Sequence, residues 1–417
     1  MRDPLDDAAG ESGGRRGAGS PLADGPLGGF VVLDLSRVMT GPFCTMLLAD
    51  MGARVIKVEH RDGGDDTRAW GPPFDRGESL YFRSVNRNKE SVTLDLKHPG
   101  GRSVLDRLLA RADVLVENFR PGMLERQGLG YEQLAPSYPR LVYCSISGFG
   151  RHGPRRDQPG YDVVIQAEGG LMSVTGAQDG APYRMGLPIT DIVAGLYAAH
   201  GVTLALLARE RTGSGQLVDV ALLDAAVSLL TYHATRYFAT REPSRRMGNG
   251  HPSIAPYDTF DASDGVMVLA VGNDAQWTRF CAAAGLDSLA SDPRFATNPD
   301  RVAHREALTA ILQAHLRTRT RDAWIALVGG AGVPCGSVRD VGETLDDPQL
   351  AARDMIVELD QGIADVVRLI GLPVKLSANP GRVRTPPPQL GEHTNDVLSE
   401  IGFSTLEIER LRDDRVI

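Results

Sequence analysis

The chain is poor in the residues that make disulfides and metal sites. Its four cysteines, Cys44, Cys144, Cys281 and Cys335, are spread over 417 residues without a CxxC pair. That excludes a disulfide framework, argues against structural zinc and leaves the four to read as small buried residues. The nine histidines form no HxH or HxxxH pair, so no catalytic metal is expected. Positive charge is also short. Lys and Arg number 45 against 53 Asp and Glu, a formal charge of -8, which leaves no broad basic surface for a nucleic-acid backbone. No uninterrupted apolar run approaches the ~20 residues of a membrane span. The opening MRDPLDDAAGESGGRRGAGSPLADG begins with acids and lacks the apolar centre of a secretory signal. Residues 1–27 read as a disordered tail, and a soluble cytoplasmic protein is the expectation. There is no GxGxxG after the first strand, no GxxxxGK[ST], and no GxSxG elbow between a strand and a helix. A dinucleotide fold, a P-loop and a serine hydrolase are therefore not signalled.

What is present is apolar material in alternation. Hydrophobic residues make up 42% of the chain, enough for two domains with real cores. FVVLDL (30–35) reads as a strand, GPFCTMLLADMGA (41–53) as a helix and RVIKVE (54–59) as a strand. The pattern resumes with strand SVTLDL, helix GGRSVLDRLLARA, strand DVLVEN and strand LVYCSIS (141–147). This is the signature of a parallel sheet with helices on its faces. A long helix follows from Ile192 to Leu207, stopped by Gly213 and Gly215, then a second apolar helix over VDVALLDAAVSLLTYHATRYF. After the loop RRMGNGHPS (245–253), YDTFDASDGVMVLAVG reads as a hairpin turning at Asp264-Gly265, and Gln276 to about Gly330 as mostly helix. VPCGSVRD, MIVELD and VRLIGLPVKLS read as further strands, with a last helix after LGEHT. The expected organisation is a large α/β domain over 28–225, a smaller α+β domain over 226–330, and a return to the large domain over 331–417.

Parallel sheets bind ligands beyond the carboxyl ends of their strands. Arg37, His60, Arg61, Asn118 and Phe119 fall there, and the cations Arg37, His60, Arg61, Arg68, Lys89, Lys97, Arg120 and Arg126 gather around the same ends. Any one of them reads equally well as a solvated charge, but together they suit a ligand with several phosphates. Asp191, in GLPITDIVAG, stands at the first turn of the long helix. It is either a helix N-cap or a nucleophile that the helix dipole keeps ionised, and the two are compatible. Asp162, in PGYDVV, is a second such acid. Gly169-Gly170 and Gly248-Asn249-Gly250 would let backbone approach a substrate closely.

The pieces VLDLSRVMTGPFCTMLLADMGARVIKVE, GDDTR, NRNKESVTLDLK, VENFRPG, GLMSVTG, the segment around Asp191, GSGQLVDVALLDA, GVPCGSV and LGEHT stand in this order from about Gly29 to Ile417. In that order the chain resembles the class III CoA-transferases, or CaiB/BaiF family, which includes formyl-CoA transferase and carnitine CoA-transferase. The resemblance implies an interlocked homodimer whose Rossmann-like large domain is built from both chain ends, with a smaller α+β domain between. It implies acyl-CoA and a small carboxylic acid as substrates, and no permanently bound cofactor. The nucleophile falls on Asp191. The CoA site falls on Arg37, Val38, Met39, Thr40, His60, Leu94, Lys97, Asn118, Phe119 and Arg126. A glycine-rich lid of some members falls on Gly248 to Gly250. The chemistry implied passes through an aspartyl anhydride and an aspartyl-CoA thioester, with succinyl-CoA the preferred donor or acceptor. Arg184 is a candidate partner for a distal carboxylate.

Two departures bear on substrate. Met39 stands where formyl-CoA transferase has a glutamine, which disfavours formate and oxalate. Tyr161 precedes Asp162 where the related α-methylacyl-CoA racemases have a catalytic histidine, which removes one of the two bases a racemase needs. A racemase-like enzyme and a non-catalytic acyl-CoA-binding protein are the alternatives.

Overall fold

In the computed structural model the described residues are 25–360 and 366–417. Of the tail expected over 1–27, residues 1–24 lie outside this set, and the chain is already packed at Leu27, which is buried and donates its N–H to Met51 O at 2.9 Å. The strands, in chain order, are β1 (Val31–Asp34), β2 (Arg54–Glu59), β3 (Phe74–Asp75), β4 (Glu78–Ser79), β5 (Lys89–Thr93), β6 (Val114–Glu117), β7 (Val142–Ser147), β8 (Leu217–Ala221), β9 (Tyr257–Ala262), β10 (Gly265–Ala270), β11 (Cys335–Ser337), β12 (Ile356–Asp360) and β13 (Val366–Ile370).

Six of them make one parallel sheet in the order β5-β2-β1-β6-β7-β8. Its inner strands place apolar residues on both faces because both are covered. Alternate residues serve opposite layers. Leu33, Ile56 and Leu115 pack against the helix Pro99–Leu109 and the C-terminal helices Thr394–Glu400 and Thr405–Asp413. Val32, Val55, Val114 and Val116 pack against the helices Thr40–Asp50 and Ile189–Thr212. The C-terminal helices thus complete one face of a sheet begun by the N-terminal strands, the large domain built from both chain ends.

Four details differ from expectation. The segment VDVA is strand β8, not the start of a helix. It lies at the sheet edge and pairs with β7 from Tyr143↔Leu217 to Ser147↔Ala221, and β-branched Val218 and Val220 suit that position. The hairpin turns at Ser263-Asp264, one residue earlier than expected, with Gly265 (φ +151°) already paired to Ala262. β11 pairs with β10, so the three-stranded sheet β11-β10-β9 extends the smaller unit past residue 330. β12 and β13 pair with each other as a separate antiparallel ribbon and do not extend the main sheet.

The helix Ile189–Thr212 is long and apolar enough to cross a membrane by length and composition. Here Ala194, Ala198, Val202 and Ala205 face the sheet, and the side chain of Arg209 is buried against Asp113 at 2.9 Å. Its left-handed C-cap is Gly213 (φ +76°), as a helix stop requires.

Candidate active site

Strand order reverses between β1 and β6, and loops leaving the sheet there diverge and open a crevice. Two side chains tie the loops across it. Arg37, just past β1, donates its N–H to Asn118 Oδ1 at 2.8 Å, and Asn118, just past β6, returns a bond from Nδ2 to Arg37 O at 2.7 Å. Glu117 fixes the turn beneath by accepting the Phe119 N–H at 2.8 Å. Burial pushes the Glu117 carboxyl up to about 7, against the pull of Ser145 and that N–H.

Two cavities flank this tie. One is lined by Arg37, Val38, Met39, Thr40, Asn118, Phe119, Arg120, Tyr161 and Asp191, the other by Arg37, His60, Leu94, Lys97 and Phe119. They adjoin at Arg37, Phe119 and Met123. Nine of the ten positions expected at a CoA site therefore line one joined crevice. Arg126 lines neither cavity and stands beside Gly122.

Asp191 is the third residue of its helix, and the position before the helix is Pro188, so it does not act as N-cap. Its Oδ1 accepts instead from the Thr40 hydroxyl, brought over from the start of the first helix. The helices cross closely because Gly195 has no side chain; a Cβ there would lie 2.9 Å from Thr40 O. Burial dominates the electrostatics and pushes the Asp191 carboxyl up to about 6, the Thr40 hydroxyl pulls it down, and the charge of Asp162 pushes it up further. The net effect opposes what the helix dipole alone would do, yet leaves the group mostly ionised at pH 7.

Asp162 is committed to the fold. It is buried and accepts from Thr190 N (2.9 Å), Thr190 Oγ1 (2.8 Å) and Gln166 Nε2 (2.7 Å), fixing the approach to the helix that carries Asp191. Tyr161 beside it is exposed at the cavity rim. Gly248 and Gly250 line neither cavity; the Gly248 N–H is bound to Gly176 O at 3.0 Å. Arg184 is exposed and donates to its neighbour Met185 O. Two of the expected ligand cations are internal. Lys89 is buried against Asp34 at 3.1 Å and Arg68 is paired with Glu59 at 2.7 Å.

Sequence reading missed a third internal pair, Lys57 with Asp65, 2.9 Å apart and wholly buried. The signal was there: a lysine inside the apolar strand RVIKVE must find a partner, and GDDTR supplies one. Burial alone would raise the Asp65 carboxyl, but Lys57 and Thr67 bring it down to about 2. The Asp65 carboxylate accepts the N–H of Val38, a β-branched residue at φ +73°. Such a conformation costs on the order of 1–3 kcal/mol and persists only where surroundings enforce it.

Residues 27–394 match the model of the family described as CoA-transferase family III. The chain belongs to that family. The succinate–glutarate CoA-transferase of Agrobacterium fabrum is 43% identical over 383 residues, covering 90% of this chain and 96% of that protein. The acetyl-CoA:oxalate CoA-transferase of Acetobacter aceti is 43% identical over 354 residues, covering 85% of this chain and 90% of that protein. Among solved structures, a CAIB/BAIF family protein from Brucella suis superposes with a TM-score of 0.82 at 42% identity, covering 91% of this chain and all of that one. The chain is thus a CoA-transferase, and a CoA thioester is its substrate.

Proposed function

We propose that this CoA-transferase moves CoA between dicarboxylic acids, with succinyl-CoA as one partner and Asp191 as the covalent nucleophile. The observation that carries the reading is that Asp191, half-buried, lines the joined crevice that also holds Arg37, His60 and Lys97. A nucleotide with its phosphates near Lys97 and His60 would send its thioester arm past Arg37 and Phe119 toward Asp191.

The chemistry balances without any other reactant. An Asp191 oxygen attacks the thioester carbonyl, the C–S bond breaks, and CoA departs as thiolate, leaving a mixed anhydride of Asp191 and the donor acid. The thiolate attacks Asp191 Cγ and expels the donor acid, leaving an aspartyl-CoA thioester. The acceptor carboxylate then attacks Cγ and expels the thiolate, which takes the acceptor's acyl carbon and frees Asp191. Every intermediate is an activated acyl group, so water must be kept out. With Oδ1 bound by Thr40, the other oxygen is the attacking one.

The names of the Agrobacterium and Acetobacter relatives, with succinate, glutarate and oxalate, support dicarboxylates as a class. Loss of an amide at Met39 ranks oxalate below succinate and glutarate, though the second of these names keeps it in the test panel. The interlocked homodimer belongs to the same proposal. Leu196, Tyr197, Leu204 and Leu207 leave an exposed apolar stripe on the long helix, and Tyr232, Tyr237 and Phe238 are also exposed, as surfaces covered by a second copy would be.

The deciding experiment is mass spectrometry of the intact protein after incubation with succinyl-CoA, trapping with hydroxylamine and peptide mapping. A modified Asp191 peptide is expected. An unmodified peptide with every acid of a dicarboxylate panel, in protein that still exchanges CoA, would overturn the nucleophile assignment.

A further inference from the structure

The buried pair Lys57 and Asp65 has no place in the chemistry above, yet its bonds end on the loop that presents Thr40. Lys57 Nζ donates to Ser36 O at 2.9 Å and lies 2.9 Å from Asp65 Oδ2. The two Asp65 oxygens accept the Val38 N–H, each at 3.2 Å. The backbone is therefore gripped on both sides of Arg37, by its carbonyl at Ser36 and its N–H at Val38. Two residues further on, Thr40 opens the first helix and gives its hydroxyl to Asp191. Asp65 is itself held. Thr67 donates to Oδ1 from N (3.0 Å) and Oγ1 (2.8 Å), and the Asp65 N–H reaches Glu59 Oε2 at 3.0 Å.

We propose that Asp65 and Lys57 are positioning residues for the transfer reaction, enforcing the left-handed Val38 so that the Thr40 hydroxyl stays on the Asp191 carboxylate. The inference rests on Asp191 being the nucleophile. Without the grip, Val38 relaxes toward negative φ, the usual region for a β-branched residue, and the start of the first helix shifts with it. Asp191 then loses the Thr40 hydrogen bond, which favours its ionised form. A pair that served stability alone would act on that carboxylate only through the charge of Asp65, whose loss would lower its proton affinity, the opposite of what loss of the hydrogen bond does.

The test is kcat/KM against pH, which reports the free enzyme, for Asp65→Asn, Thr40→Val and the double variant, with kcat measured alongside and thermal unfolding as a check on folding. Asp162 and Tyr81, which also face Asp191, are unchanged in all of them. Thr40→Val should move the acid limb, near pH 6 in the native protein, upward by up to about one unit. Asp65→Asn should move it in the same direction and lower kcat by about ten- to a hundredfold, the usual cost of misplacing a reacting group. The double variant should be little worse than the poorer single, because both remove one interaction, and Val38→Gly in the Asp65→Asn background should restore part of the rate. An unshifted acid limb in folded Asp65→Asn, or losses that multiply in the double variant, would overturn the proposal. If Asp65→Asn does not fold, Thr67→Val takes its place, with a smaller shift of the same sign expected and no shift counting against the proposal. Trapping on the native protein separates the two readings. No Asp191 adduct there sinks the nucleophile itself, whereas an adduct with an unshifted Asp65→Asn limb sinks only the positioning role.

Discussion

Asp191→Asn should give a protein that transfers no CoA and is more stable than the native one. The Asp191 carboxyl is raised from 3.8 to about 6, chiefly by burial. Two units at about 1.4 kcal/mol each set an upper bound of roughly 3 kcal/mol on the cost of holding it ionised. The group opens onto the crevice, so water screens it and about 1–2 kcal/mol is the working figure. The sign follows from the raised value in the folded protein. The protonated carboxyl contributes its stability fully below 3.8 and loses it as pH climbs through about 6, so the native protein carries the whole penalty at pH 8 and roughly half at pH 5. Asparagine has no charge to desolvate, and its amide oxygen still accepts from Thr40. Thermal unfolding at pH 5 and pH 8, at matched protein concentration, reads the effect directly. The variant should gain on the order of 2–4 °C at pH 8 and clearly less at pH 5. An Asp191→Asn protein that is less stable than native, or shifted equally at both pH values, would refute the picture of a carboxylate held ionised against its burial.

Two further outcomes follow from the geometry. Gly195→Ala puts a Cβ 2.9 Å from Thr40 O and 3.0 Å from Phe43 Cδ1; it should prise the two helices apart and lower kcat by about tenfold or more, with CoA affinity by calorimetry nearly unchanged. Lys97→Ala, which removes an exposed cation from the second cavity, should raise KM for acyl-CoA roughly three- to tenfold at low salt with kcat unaltered, and the difference should shrink in 0.5 M salt as screening takes over.

Where a hydrophobic period was strong, the sequence was readable. The strands around Leu33, Ile56 and Leu115 stand out because a parallel sheet covered on both faces puts short apolar runs on each strand, and Gly213 marks the end of the long helix because a left-handed cap favours glycine. The edge strand at Val218 was not readable. An edge needs only one partner, and VDVALLDAA suits either state until β7 is known to lie beside it. Much of the site was legible as a set of residues near strand ends, since topology alone brings Arg37 and Asn118 together. Charge alone could not say which cations face a ligand. Lys89 and Arg68 look no different in sequence from Lys97, and only the acids Asp34 and Glu59 beneath them show where their charge is spent. Asp191 and Asp162 were likewise alike as strings. The structure separates them by their partners, three donors on Asp162 against one hydroxyl on Asp191.

Why the support beneath the crevice should be ionic has a physical answer. A buried ion pair is a poor source of stability, and apolar residues of the same volume often do as well. Such residues could not serve here, because the loop leaving β1 turns its backbone inward at two points. Ser36 O needs a donor and the Val38 N–H needs an acceptor in the narrow floor of the crevice, and a backbone group left orphaned away from water costs about 1–3 kcal/mol. Lys57 and Asp65 meet both needs with one charge of each sign, so neither backbone group is orphaned and neither charge is unpaired. The same logic repeats one strand away, where Lys89 bonds to Pro42 O and Asp34 together, just under the first turn of the helix that carries Thr40. The charges beneath the site are thus the consequence of its backbone: a loop that turns inward at a reversal of strand order must be met by donors and acceptors from the sheet below.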